Sequence, residues 1–234
     1  KKFAAEHPRF YIVPDYYEDA HAELILGIFG DLSLMTGGSG LLGAEAFRKK
    51  AAGEAKEEMT VPAEKSLLLA GSCSKATLEQ IDTYQKAGGF SVHVDPLRLL
   101  NGEVTVDSLW EEGKGASKVL YYSSDKADNV KKVQEVGREK VAELLEQTMS
   151  MLAQRAVKDG YTQVIVAGGE TSGAVTQGLG YQSYLIGESV APGVPVMTPA
   201  GNRALRLVLK SGNFGQPDFF ERAVKMTTEG KRGE

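Results

Sequence analysis

Hydroxyl, glycine and carboxylate groups gather in short turns of this chain, each turn following an apolar run. GSCSKATLEQI carries Ser72 and Ser74; GGETSGAV carries Gly168, Gly169, Glu170, Thr171 and Ser172; LKSGNFG carries Ser211 and Gly212. A fourth stretch of the same shape, TGGSGLLGA, begins at Thr36. Glycine lets the backbone bend sharply and approach a ligand closely. A helix that follows points its free N–H groups and positive dipole end at whatever sits over the turn. Several such turns at the carboxyl edge of one parallel sheet make an anion cradle, where open α/β sheets bind their ligands. Any strand-to-helix connection also favours small residues and a cap, and one turn alone carries no more than that. Four in one chain favour the cradle.

Glu170 is a separate case. A carboxylate in a tight glycine turn is costly unless it meets a metal, a hydroxyl or a helix N-terminus. It reads as a magnesium-orienting group or as an N-terminal helix charge, while Thr171 or Ser172 suits the cap. Cys73 reads as a small buried thiol, His93 as a packed core imidazole, and Lys210 as a solvated lysine at a strand end in preference to a charge partner for a phosphate.

The turns must be positioned by a sheet. Apolar runs fall at 10–13, 32–35, 66–70, 90–94, 118–122, 164–167, 183–186 and 205–209. Several are continuous rather than alternating, as in strands covered on both faces. Helical patterns fall at 18–30, 40–50, 77–87 and, in one long stretch, 127–158. Alternation of the two predicts a three-layer α/β/α fold with a mostly parallel sheet and glycine-rich βα turns. Residues 51–64 are charged and hold Pro62, which reads as a linker. Residues 1–50 then form the tail of a preceding domain, too small to bury a core alone, and 65–234 form the main domain. The opening KKFAAEHPRF lacks an initiator Met, which reads as a processed or partial chain.

Composition removes several functions. Lys and Arg number 27 against 31 Asp and Glu, a net charge of -4, so nucleic acid is not an expected partner. One cysteine and three separated histidines exclude an intrachain disulfide and a Cys/His zinc cluster. No apolar run is long enough to span a membrane and no signal segment is evident, so the reading is cytoplasmic. Glycine is in excess, 27 of 234 residues, against ~7% in average chains. GSGLLG at 38–43 satisfies G-x-G-x-x-G, but the charged stretch after it supplies no second strand with an acidic end, so an NAD-dependent dehydrogenase is disfavoured. There is no P-loop and no protein-kinase signature.

GSCSKATLEQI, AGGETSGAV, GESVAPGVP and LKSGNFG, in that order, resemble the nucleotide-binding C-terminal domain of the four-carbon acid sugar kinases. That family includes 3-oxo-tetronate, threonate and erythronate kinases. The resemblance covers about residues 66–224, and TGGSGLLGA is similar to the segment that closes the family's sugar-binding half. The A-D-D-x-T-G-A type motif of that half does not occur in this chain. The resemblance implies ATP held by Ser72 or Ser74, by Gly168, Gly169, Glu170, Thr171 and Ser172, and by Gly212. It also implies magnesium, a small acid-sugar substrate, an N-terminal substrate domain as partner, and a general base from that domain. Pairing into a homodimer is compatible with it. The expected function is the ATP-binding part of a kinase acting on the terminal hydroxyl of such a sugar, with a non-catalytic nucleotide-binding module as the alternative.

Overall fold

A computed structural model describes residues 6, 7, 9–48, 65–124 and 127–228 of the 234-residue chain. Two units are distinguished, Lys1–Glu57 and Glu58–Glu234. The stretch 51–64, read as a linker, lies outside the described residues.

In the first unit, α1 (Asp19–Phe29) and α2 (Ser39–Arg48) are helices, and α1 buries Ala22 and Leu26. Residues 10–13 and 32–35, expected as strands, form none among the described residues. Tyr11, Val13 and Leu34 are more than four-fifths exposed. Apolar content alone does not make a strand, because its N–H and C=O groups need a ladder partner. GSGLLG consequently enters α2 from irregular chain, and the dinucleotide fingerprint loses its required strand.

The second unit runs β1 (Ser66–Ala70), α3 (Lys75–Lys86), β2 (Ser91–His93), α4 (Pro96–Leu100), α5 (Val106–Gly113), β3 (Lys118–Tyr122), α6 (Ala127–Lys158), β4 (Gln163–Ala167), α7 (Gly169–Leu179), β5 (Tyr184–Ala191), β6 (Val194–Pro199), β7 (Arg206–Lys210) and α8 (Phe219–Thr228). Its seven strands form one sheet in the order β2-β3-β1-β4-β7-β6-β5. The first five are parallel, and β6 and β5 extend the sheet antiparallel. This is the mostly parallel α/β fold that the alternating pattern predicts.

Continuous apolar strands follow from two covered faces. Leu67, Leu69, Val164 and Val166 turn to one face, against Leu99, Trp110, Met149, Leu152 and Val175 of α4 to α7. Leu68, Ala70, Ile165 and Ala167 turn to the other, against Ile81 and Tyr84 of α3 and Phe219, Phe220 and Ala223 of α8. Each fully buried Leu, Ile or Val contributes roughly 1.5–3 kcal/mol, so the central strands anchor the domain.

Three local readings change. α6 is not one continuous helix, because Gly137 has non-helical backbone (φ 120, ψ 87) and kinks it. The strand β6 was masked in sequence by Pro195 and Pro199. Pro195 pairs with Ser189 where the β5–β6 register shifts, a place where a missing N–H is tolerated. His93 is exposed rather than core: β2 is the edge strand, and Val92 and Val94 take the buried positions.

Candidate functional site

The chain leaves β1 toward β2 on one side of the sheet and leaves β4 toward β5 on the other. β1 and β4 are neighbours, so the connections part between them. Such a switch point opens a crevice at the carboxyl ends of the strands. The turns after β1, β4 and β7 meet there.

They are fastened to one another before any ligand is considered. Gly71 N–H donates to the Ala167 carbonyl at 3.0 Å, and Gly168 N–H donates to the Lys210 carbonyl at 2.9 Å, carrying the ladder past the strand ends. Ser74 caps α3, accepting from Thr77 N–H at 3.2 Å. Its hydroxyl donates to the Gly212 carbonyl at 2.6 Å, and Thr77 Oγ1 donates to the same oxygen at 2.9 Å. Ser72 Oγ accepts from Ser74 N–H at 3.2 Å. A Cβ on Gly212 would run into Ser72 Oγ and lie 2.9 Å from Ser74 Oγ. Glycine is required at Gly168 as well: its φ is +134, and a Cβ there would stand 3.2 Å from Ser72 N.

Lys210 lies beneath this knot and is 2% exposed, not solvated. Its Nζ donates to Thr77 Oγ1 at 2.9 Å and to the Gly212 carbonyl at 3.0 Å, and sits 5.5 Å from the centre of the Phe219 ring. Among the described residues no carboxylate pairs with it, and burial pushes its ammonium down to about 8. The strand-end position suggested solvent, but the turn after β7 folds back over it.

The α7 N-terminus differs from that of α3. Its cap position is Gly168, which has no side chain, and no side-chain hydrogen bond closes the end. Thr171 and Ser172, the expected caps, lie inside the first turn of the helix. Thr171 is buried, with its hydroxyl against Gly71 and Gly168. Ser172 Oγ is buried without a hydrogen-bond partner among the described residues. The first N–H groups of α7 therefore face the crevice uncapped. Glu170 is exposed in the same turn, so no burial cost constrains its carboxylate. Cys73 is exposed too, since Ser72 and Ser74 on either side make the inward contacts. Among the described residues no group of three or more His, Cys, Asp or Glu could hold a metal ion. No helix there is long and apolar enough to cross a membrane.

Ser72, Ser74, Gly168, Gly169, Glu170, Thr171, Ser172 and Gly212 thus lie on three adjoining turns. Thr77 and Lys210 were not anticipated as part of the knot. The signal was present for Thr77, which stands three residues after its cap Ser74; Lys210 offered a charge beside a phosphate turn, but its strand-end position favoured solvent.

Residues 67–220 match the family described as the nucleotide-binding C-terminal domain. The chain belongs to that family. This nucleotide-binding domain is 39% identical over 222 residues to a 3-oxo-tetronate kinase of Cupriavidus necator, covering 91% of this chain and 51% of that protein. A 3-oxo-tetronate kinase of Pseudomonas fluorescens is 37% identical over 227 residues, covering 94% and 52%. The crystal structure of a Haemophilus influenzae protein superimposes with a TM-score of 0.78 at 31% identity, over 91% of this chain and 52% of that one. The chain spans about half the length of the curated relatives it matches.

Proposed function

We propose that this chain is the ATP-holding part of a kinase that phosphorylates the terminal hydroxyl of a four-carbon acid sugar of the 3-oxo-tetronate type. The observation that carries the reading is the uncapped N-terminus of α7 at the switch point, flanked by the serine turn after β1 and the Gly212 turn after β7. Free N–H groups and a helix dipole suit phosphate oxygens. The buried charge of Lys210 adds positive potential beneath them. The resemblance in the glycine and serine turns and the names of the relatives supply the substrate class.

In this reading the domain positions ATP and neutralises charge rather than forming a covalent intermediate. Magnesium usually takes one or two carboxylates together with phosphate oxygens and waters, and the exposed Glu170 carboxylate meets that requirement. When bound, the ion neutralises charge on the transferred phosphoryl group. Contacts to the acid sugar and the general base belong to a partner substrate domain.

A thermal scan of the chain tests the nucleotide part. Millimolar ATP with magnesium should raise the melting temperature through linkage, and NAD should not. No shift with ATP, or a shift with NAD alone, overturns the reading. In a protein carrying this domain with an acid-sugar half, ADP release should follow 3-oxo-tetronate; release with no acid sugar preferred would remove the substrate class.

A further inference from the structure

Two of the four family-like stretches, GESVAPGVP and LKSGNFG, take no part in the phosphate cradle beyond Lys210 and Gly212. In the fold they converge. The tip of the β5–β6 hairpin and the segment after Gly212 enclose a cleft of about 510 Å³ on the α8 side of the sheet. That volume lies within the range of small-ligand sites. Its walls include Pro192, Phe214 and the buried ring of Phe219, with Asn213, Asp218 and Arg222 among the polar and charged groups.

Phe214 is the unusual member. The residue remains 45% exposed although it sits two residues from the cradle. The loop that presents it is fixed, since the fully buried Gln80 amide donates to the Phe214 and Gln216 carbonyls at 3.0 and 3.1 Å. The ring stands by the hairpin turn, where a Cβ on Gly193 would lie 3.5 Å from Phe214 Cε1. Across the cleft, the β5 ladder shifts register between Ile186 and Ser189 and again between Ser189 and Ala191. Such irregularities leave backbone donors and acceptors out of the ladder. A preset aromatic face opposite irregular backbone is suited to a flat heteroaromatic ring with hydrogen-bonding edges.

We infer that this cleft holds the purine base and ribose of the nucleotide, with the base stacked on Phe214 and its polyphosphate leading past Gly212 to α7. The inference rests on the nucleotide reading above and deepens it. A second groove, along α7, is lined by Glu146, Glu170 and Tyr181. It is the poorer choice for the base, since its one lining aromatic, Tyr181, has its hydroxyl occupied by Asn202 at 2.9 Å.

Titration of the chain with ATP and, separately, with inorganic tripolyphosphate, both with magnesium, separates base from phosphate. Phe214→Ala should weaken ATP binding by about fivefold or more, the usual loss on deleting a stacking aromatic, and leave tripolyphosphate affinity unchanged. Phe214→Trp should keep ATP affinity, and its emission should change with ATP but not with tripolyphosphate, over the constant background of the single native Trp110. Unchanged ATP affinity in Phe214→Ala, or parallel losses for both ligands, overturns the inference, as does a Phe214→Trp signal blind to bound ATP. Loss of ATP affinity in Tyr181→Ala but not in Phe214→Ala overturns it in favour of the α7 groove. A native chain that binds tripolyphosphate as tightly as ATP removes the base site alone; one that binds neither removes the nucleotide reading with it.

Discussion

The buried ammonium of Lys210 and the hydroxyl of Thr77 are 2.9 Å apart, joining the end of β7 to the first turn of α3. Both groups donate to the Gly212 carbonyl, as does Ser74 Oγ at 2.6 Å. One backbone oxygen therefore collects three donors from two segments more than 130 residues apart. A charge without a carboxylate partner is held there by hydrogen bonds and an aromatic face, against a desolvation cost.

That cost gives a pH dependence with a definite sign. Burial lowers Lys210 from 10.5 to about 8. Between those values the unfolded chain binds more protons than the folded one, so Lys210 makes stability rise with pH from about 8 toward 10. The whole window is worth on the order of 3 kcal/mol at most. Above pH 10 the effect is opposed by Tyr84, which burial pushes up to about 12 and whose contribution is lost as pH climbs past it. Urea unfolding between pH 7.5 and 10 should show the rise in the native chain and a flat response in Lys210→Met. ATP affinity should move the other way, falling as the ammonium beneath the cradle deprotonates. Stability and affinity that move together would mean that the charge does not reach the phosphate site.

Gly212 and Gly169 should part company when given a methyl group. At Gly212 the new Cβ collides with Ser72 and crowds Ser74, so Gly212→Ala should cost about 1–3 kcal/mol of stability along with ATP affinity. At Gly169 nothing lies within 4 Å of the Cβ position and the residue is already helical. Gly169→Ala should fold normally, and a loss of ATP affinity there reports close approach of a ligand. Chemical denaturation and ATP titration of both variants check the pair.

How far these features could be read in sequence follows from their physics. β1, β3 and β4 were legible because strands covered on both faces must be continuously apolar, as in SLLLA and QVIVA. The three turns were legible because Gly, Ser and Thr clusters recur after such runs, although each alone is what any strand-to-helix connection favours. What failed depended on partners distant in sequence. Residues 10–13 look like a strand but have no ladder, and β6 hides behind two prolines that the β5 irregularity accommodates. Lys210, Cys73 and His93 were misplaced because inside or outside was decided by the returning turn after β7 and by which strand took the sheet edge.

Ser74 does two tasks, capping α3 and donating to Gly212. Ser74→Ala should destabilise the domain by about 1 kcal/mol, the usual loss for a helix cap, and somewhat more for the lost bond to Gly212. Thr77 and Lys210 still donate to that oxygen, so the turn should stay closed. Ser74→Thr keeps both functions and should restore stability. Melting temperatures of the two variants decide it; equal losses would mean that the site has no room for the threonine methyl rather than no need of the hydroxyl.

Glu170 is exposed in the first turn of α7, where a negative charge contributes only about 0.3–1 kcal/mol through the helix dipole. Alone, that charge beside a polyphosphate should repel ATP. With magnesium present, the same carboxylate becomes a ligand or a partner of bound water. The two cases make opposite statements about Glu170→Gln. Without magnesium the variant should bind ATP at least as tightly as the native chain, since a repulsive charge is gone. With magnesium it should bind several-fold more weakly, so the enhancement of ATP affinity by the ion shrinks. The amide keeps the size and most of the hydrogen-bonding reach of the carboxylate, which confines the comparison to charge. Calorimetric titration of both proteins with ATP, at zero and at millimolar magnesium, gives all four affinities. An enhancement equal in the two proteins would assign Glu170 to the helix dipole, and the α7 turn would then act on phosphate through its backbone alone.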